Sequence, residues 1–162
     1  MLQAERNEER AYTEVADIIR AKCANPTEEV QKLWRRLVFN LLITNVDDHL
    51  HNLGFLYAGQ SKWRLAPGFD VNPFPDKDRE SRTWLSEDTG PITSLSMLMA
   101  QAAYFSLTHA AALKILAVVS AGVQDWRAEA LGPGVGMHTW ELKEFAPAFE
   151  HADMDAARAL LA

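Results

Sequence analysis

Asp47 and Asn52 stand five residues apart in a polar burst, Asn45-Val46-Asp47-Asp48-His49-Leu50-His51-Asn52, and a further carboxylate, Asp70, follows in a proline-rich stretch. These side chains divide the work of moving a phosphoryl group between oxygens. A carboxylate such as Asp47 can orient a hydroxyl and take its proton. An amide oxygen and a second carboxylate, Asn52 and Asp70, are the hard oxygen donors that magnesium prefers, with water and phosphate oxygens completing its shell. Such a transfer needs positioning and charge neutralisation more than covalent chemistry, so these plain side chains suffice. An Asp-x4-Asn pair alone arises by chance in roughly a third of chains of this size. Its weight therefore comes from what surrounds it.

The elements around the burst are legible. Tyr12, Val15, Ala16, Ile19 and Cys23 recur at helical spacing and stop at Asn25-Pro26, which predicts a first helix. Asn25 as N-cap, Pro26 at the first position and Glu28 three residues on predict a capping box for a second. Its stripe runs through Val30, Leu33, Trp34, Leu37, Val38, Leu41 and Leu42, with Phe39 and Ile43 widening it, so its last turns should be buried on most sides. The burst closes that helix. Two aromatic-rich runs follow, Leu53-Gly54-Phe55-Leu56-Tyr57 and Lys62-Trp63-Arg64-Leu65, around a turn with Gly59, and predict one short β-hairpin. Pro67, Pro73 and Pro75 make the Asp70 segment a loop. Asp76 to Gly90, with Arg79 to Arg82, is charged and reads as solvated and mobile. Helices are expected at 95–103, 108–131, 137–150 and 153–161, the third preceded by a break at Gly132 to Gly136. The expected fold is mainly α, one domain over residues 1–162.

Composition narrows the function classes. A formal net charge of −6 argues against a protein whose main task is gripping nucleic-acid backbones, which needs a basic stripe, and leaves room for a local nucleotide site. The charged opening MLQAERNEER lacks a secretory apolar region, and no run of about 18 apolar residues occurs. A cytoplasmic protein without direct nucleic-acid or membrane contact is expected. Cys23, the lone cysteine, excludes an internal disulfide and reads as a small buried hydrophobe.

Asp47-x4-Asn52 after a buried helix, then a hairpin and Asp70, is the order and spacing of a kinase catalytic loop and its metal-binding Asp. Over longer stretches, Leu37 to Asn52 and Trp63 to Pro73, the wording resembles the HipA family of serine/threonine kinases, with weaker likeness at Leu107-Thr108-His109-Ala110 and Val123-Gln124-Asp125-Trp126. That resemblance implies the helical, kinase C-lobe-like half of such an enzyme. Asp47 would be the catalytic Asp, His49 a brace of the loop, and Asn52 and Asp70 the magnesium ligands, with ATP as phosphoryl donor. It further implies a toxin of a toxin–antitoxin pair, a protein Ser or Thr as acceptor, and an antitoxin as partner. Complete members also carry an N-terminal β-rich lobe with a phosphate-covering loop and an ATP-binding Lys. Only about ten residues, Leu2 to Ala11, precede the first helix here, so the expectation is a chain lacking that lobe or receiving it as a separate partner. Weak ATP binding and self-association through an uncovered apolar face are the corollaries. His51 stands where many relatives have Lys or Arg.

Other readings stay open on the residues alone. The burst can be a solvated loop, Asp70 a turn cap, and Asp48 an exposed or capping carboxylate outside the site. His49 and His51 form a His-x-His pair suited to a transition metal. Arg64 can pair with the site or face solvent. The five tryptophans read as core anchors. At the level of function, the alternatives are a non-catalytic module that holds an antitoxin or target, and a small-molecule phosphotransferase. The latter usually has His two residues before the catalytic Asp, where this chain has Asn45.

Overall fold

The apolar stripe running from Val30 to Leu42 organises the core. In the computed structural model, which describes residues 10–76 and 78–162, it lies on helix α2 (Pro26–Leu42), with Leu33, Trp34, Val38 and Leu42 fully buried. The charged stretch ahead of Arg10, and Lys77, fall outside the described residues. Helix α1 (Tyr12–Lys22) packs on α2 through Val15, Ala16 and Ile19. Helices α4 (His109–Val123), α3 (Leu95–Ala100) and α7 (Ala152–Leu161) also pack against α2, and Phe105 lies against Trp34 with ring centroids 5.2 Å apart. Helices α5 (Trp126–Leu131) and α6 (Glu141–Phe149) complete a mainly α architecture of seven α-helices among the described residues.

The predicted hairpin is present as β1 (Phe55–Gly59) and β2 (Lys62–Leu65), antiparallel with Phe55 opposite Leu65 and Tyr57 opposite Trp63. Gln60 and Ser61 at its tip both take left-handed φ, the requirement of a tight primed turn. A second, unpredicted ladder joins β3 (Trp84–Ser86) to β4 (Gly90–Pro91). One-residue parallel bridges tie the two ends of α1 to different hairpins, Ala11 to Trp84 and Cys23 to Trp63.

Four local expectations are corrected. The Asn25–Glu28 capping box does not form: the Asn25 side chain makes no cap bond, and Glu28 pairs with Lys32 at 2.7 Å. A box-like bond appears one helix earlier, where the Ala11 N–H donates to Glu14 at 2.9 Å. The single helix expected over 108–131 is two, because Asp125 leaves helical geometry and its carbonyl starts α5. Trp126 then stacks on Phe149 at 4.5 Å, which turns the chain toward α6. Helix α6 starts at Glu141 rather than near Met137, since the His138 N–H is held by Glu141 at 2.6 Å in the turn before it. Trp34 and Cys23 are buried as expected, whereas Trp140 is exposed.

The largest correction concerns Asp76 to Gly90. Read as solvated throughout, the segment does keep Asp78, Glu80, Glu87 and Asp88 exposed, but other residues of it bond to the body of the protein. Arg79 pairs with Asp153 at 3.0 Å and donates to the Leu41 carbonyl at 3.2 Å. Burial, partly offset by Asp153, lowers the pKa of its guanidinium. Charge in a sequence does not distinguish solvated side chains from those that reach back to buried acceptors.

Candidate functional site

Helix α2 ends in a strained residue. Thr44 is β-branched yet has φ +54°, and it is held there by its hydroxyl donating to the Ala148 carbonyl at 2.9 Å and by its own carbonyl accepting from the Phe74 N–H at 3.1 Å. Asn45 folds back, its N–H on the Asn40 carbonyl at 2.8 Å, and its Oδ1 accepts from the Asn72 N–H at 3.4 Å. The burst is thus fixed at its start to both α2 and the proline-rich loop.

Asp47 and Asn52 are brought together. Leu50–Asn52 forms one 3-10 turn, and the Asn52 amide Nδ2 donates to the Asp47 carbonyl at 3.1 Å, leaving Oδ1 as its acceptor for a further ligand. The Asp47 carboxylate pairs with Arg82 at 2.9 Å. Asp70 is exposed, has φ +52°, and accepts from Asn72 Nδ2 at 3.0 Å. A left-handed Asp is tolerated at a cost of about 1–2 kcal/mol.

Asn52, Asp70 and His49 line one cavity of about 740 Å³, a size suited to a nucleotide-scale ligand. Asp47 is not among its lining residues. Lys32, Arg35, Arg36 and Arg64 add positive charge to the wall, and Phe39, Leu56, Phe69, Val71 and Val118 bring exposed apolar surface to it. Two buried nitrogens on this wall, His49 Nδ1 and Arg36 Nη1, have no hydrogen-bond partner. Unpaired buried polar groups cost about 1–3 kcal/mol each, and a bound anion or ordered water would satisfy them. Arg36 meanwhile donates through Nη2 to the Ala66 carbonyl. The donor set of one amide oxygen and one exposed carboxylate fits magnesium. No group of three or more His, Cys, Asp or Glu is placed to hold a metal among the described residues, which leaves the His49/His51 pair without a third ligand. Those two rings meet edge to face at 5.5 Å.

The brace of the loop is Asp48. It is 5% exposed, not the exposed or capping carboxylate that its position suggested. Its carboxylate accepts from the Tyr12 hydroxyl at 2.7 Å, the Arg82 N–H at 2.7 Å and the Thr83 N–H at 3.3 Å, while its carbonyl accepts from the Thr83 hydroxyl at 2.8 Å. Burial raises its pKa, against the pull of those three donors. Burial first, and then the Asp48 charge, raise the pKa of Tyr12 well above the usual phenol value. On the far side Glu29, also buried, accepts from the Leu65 N–H at 2.7 Å and so fixes the hairpin to α2. Arg82, Thr83, Tyr12 and Glu29 escaped the sequence reading because nothing local marks them. The only available signal was the doubled acid Asp47-Asp48.

Comparison with known proteins adds two findings. The sequence model of one family, described as HipA-like C-terminal domain, matches residues 1–127 of the 162. A Haemophilus influenzae protein named "Putative kinase" is 32% identical over 69 residues, 41% of this chain and 20% of that protein. The chain thus matches about a fifth of the length of this curated relative. Among the described residues, no helix is long and apolar enough to cross a membrane.

Proposed function

The chain belongs to the HipA-like C-terminal domain family, and from that premise we propose that it is the catalytic-loop half of a serine/threonine protein kinase. The observation that carries the reading is the Asn52-to-Asp47 hydrogen bond at 3.1 Å, which closes the loop while Asn52 shares a cavity wall with Asp70. Asp47 orients the acceptor hydroxyl and receives its proton. The hydroxyl oxygen forms a bond to the γ-phosphorus of ATP as the bond from that phosphorus to the bridging oxygen breaks, and ADP leaves with the electron pair. Asn52 Oδ1 and the Asp70 carboxylate would hold magnesium, which supplies neutralisation of the phosphate charge when bound. The basic wall of Arg35, Arg36 and Arg64 draws in the polyphosphate, and the apolar surface beside it receives the base or a covering lobe. A protein Ser or Thr as acceptor, an antitoxin as partner, and a toxin's role in the cytoplasm are the further parts of this proposal.

Titration of the chain with Mg·ADP, followed by amide NMR, tests the metal site. Shifts confined to 45–54 and 66–72, and their loss in Asp70→Asn, are the expected result. Unchanged spectra at millimolar ligand would reject the assignment. In the complete protein, Asp47→Ala should reduce phosphotransfer by at least about 100-fold, the scale of a positioned acid–base group; undiminished transfer removes Asp47 from the catalytic role.

A second reading is a non-catalytic module that holds an antitoxin or target protein. The favouring observation is the exposed apolar surface around the cavity, with Val118 64% exposed. Concentration-dependent self-association, read by sedimentation, would report the same surface.

A further inference from the structure

Arg82 reaches Asp47 by construction. Its backbone N–H is shared between the Val46 carbonyl at 3.2 Å and the Asp48 carboxylate at 2.7 Å, so its main chain is fixed across the two neighbours of Asp47. The adjoining Thr83 adds its N–H and hydroxyl to the same Asp48. From that anchored position the guanidinium meets the Asp47 carboxylate at 2.9 Å while its side chain remains 63% exposed. One of its five N–H donors is engaged there, and the exposure of the side chain leaves the guanidinium accessible to a further acceptor.

The other cations near the loop are differently placed. Lys32 is occupied by Glu28 and Glu29, and Arg36, bonded to the Ala66 carbonyl through Nη2, turns its unpartnered Nη1 to the cavity wall rather than to Asp47. Arg35 and Arg64 lie on the cavity wall, which does not include Asp47. Among the described residues, Arg82 alone forms an ion pair with the catalytic loop.

We propose that Arg82 is the charge-stabilising cation of phosphoryl transfer, holding the Asp47 carboxylate with one N–H and offering the rest to the phosphoryl group in flight. The inference rests on the kinase reading above. In the transition state, as the bond to the acceptor oxygen forms and that to the bridging oxygen breaks, negative charge spreads over the equatorial oxygens near Asp47. A fixed guanidinium there stabilises the transition state more than the ground state. An ordinary surface ion pair would contribute little; the anchored backbone is what makes the position useful.

The test compares Mg·ADP with Mg·ADP plus aluminium fluoride, a mimic of the transferring phosphoryl group, by calorimetry on the complete protein. Expected is a loss of at least tenfold in affinity for the fluoride complex in Arg82→Gln, with Mg·ADP affinity changed less than twofold and part of the loss recovered in Arg82→Lys. The unfolding midpoint should stay near that of the wild type, because the substitution keeps the backbone N–H that anchors the segment. Equal weakening of both ligands, or tighter binding of the fluoride complex, overturns the inference while leaving the kinase reading intact. Failure of the unsubstituted protein to bind Mg·ADP at all overturns both.

Discussion

Replacing Asp48 with alanine should destabilise the protein by about 2–4 kcal/mol, whereas asparagine at the same position should cost less than half of that. The magnitude follows from what each donor has left. Without the carboxylate, the Tyr12 hydroxyl can still reach the Asp48 carbonyl at 3.1 Å, and the Arg82 N–H still has the Val46 carbonyl at 3.2 Å. The Thr83 N–H has no second acceptor among the described residues, so it is orphaned in a buried site. One orphaned donor and the loss of two charge-assisted bonds, less the relief of desolvating a carboxylate, give the range. Asparagine keeps an oxygen for Arg82 and Thr83 and presents an NH2 to the Tyr12 oxygen. For a chain of this size the alanine effect corresponds to roughly 5–15 °C in unfolding midpoint. The pH dependence carries a second signature. Burial raises the Asp48 pKa in the folded state, so the proton-linked part of its contribution is fully present below the ordinary carboxylate range and is lost as pH rises through the raised folded value, while the hydrogen bonds to the carboxylate remain above it. Asp48→Asn should flatten that segment of the stability–pH curve. Thermal unfolding across pH checks both. An alanine variant within about 2 °C of the wild type, or an asparagine variant worse than alanine, refutes the network.

Two other outcomes are expected. His151 caps α7, with Nε2 on the Leu42 carbonyl at 3.1 Å and Nδ1 accepting from the Met154 N–H at 3.4 Å, an arrangement that uses the neutral ring fully. Burial, with Arg79 nearby, lowers its pKa, so stability should fall as pH drops below the ordinary histidine value, and His151→Asn, which caps without titrating, should remove that slope in unfolding experiments. Glu29→Ala should cost about 2 kcal/mol by orphaning the Leu65 N–H, against under about 1 kcal/mol for Glu29→Gln. Faster amide exchange in β2 of the alanine variant would localise the loss.

Periodicity made the core readable. The stripe on α2, the burial of Cys23 and the β1–β2 hairpin follow from side-chain spacing that the core enforces directly. The proximity of Asp47 and Asn52 was readable too, because a single turn joins them. Contacts that cross the chain were not. Tyr12 and Asp48 lie 36 residues apart, and Asp48 and Thr83 lie 35 apart. Each looks ordinary in its own neighbourhood: Tyr12 is another apolar-face residue, and Arg82 and Thr83 belong to a charged stretch without periodicity. The split between α4 and α5 escaped for a related reason, since the residues flanking Asp125 remain helical in pattern and only the stacking of Trp126 on Phe149 decides the direction of the chain.

Helix α1 is bridged at Ala11 to Trp84 and at Cys23 to Trp63, so its 11 residues, about 16 Å of helix, act as a gauge block between two otherwise unconnected hairpins. One hairpin leads into the Asp70 loop, and the other follows directly from Arg82. Inserting one residue in α1 would lengthen the block by about 1.5 Å and rotate one bridge by about 100° against the other. Substitutions on its solvent face should be silent, while changes of length should be felt at the site, which makes the length of this helix, rather than its surface, the quantity that tolerates no drift.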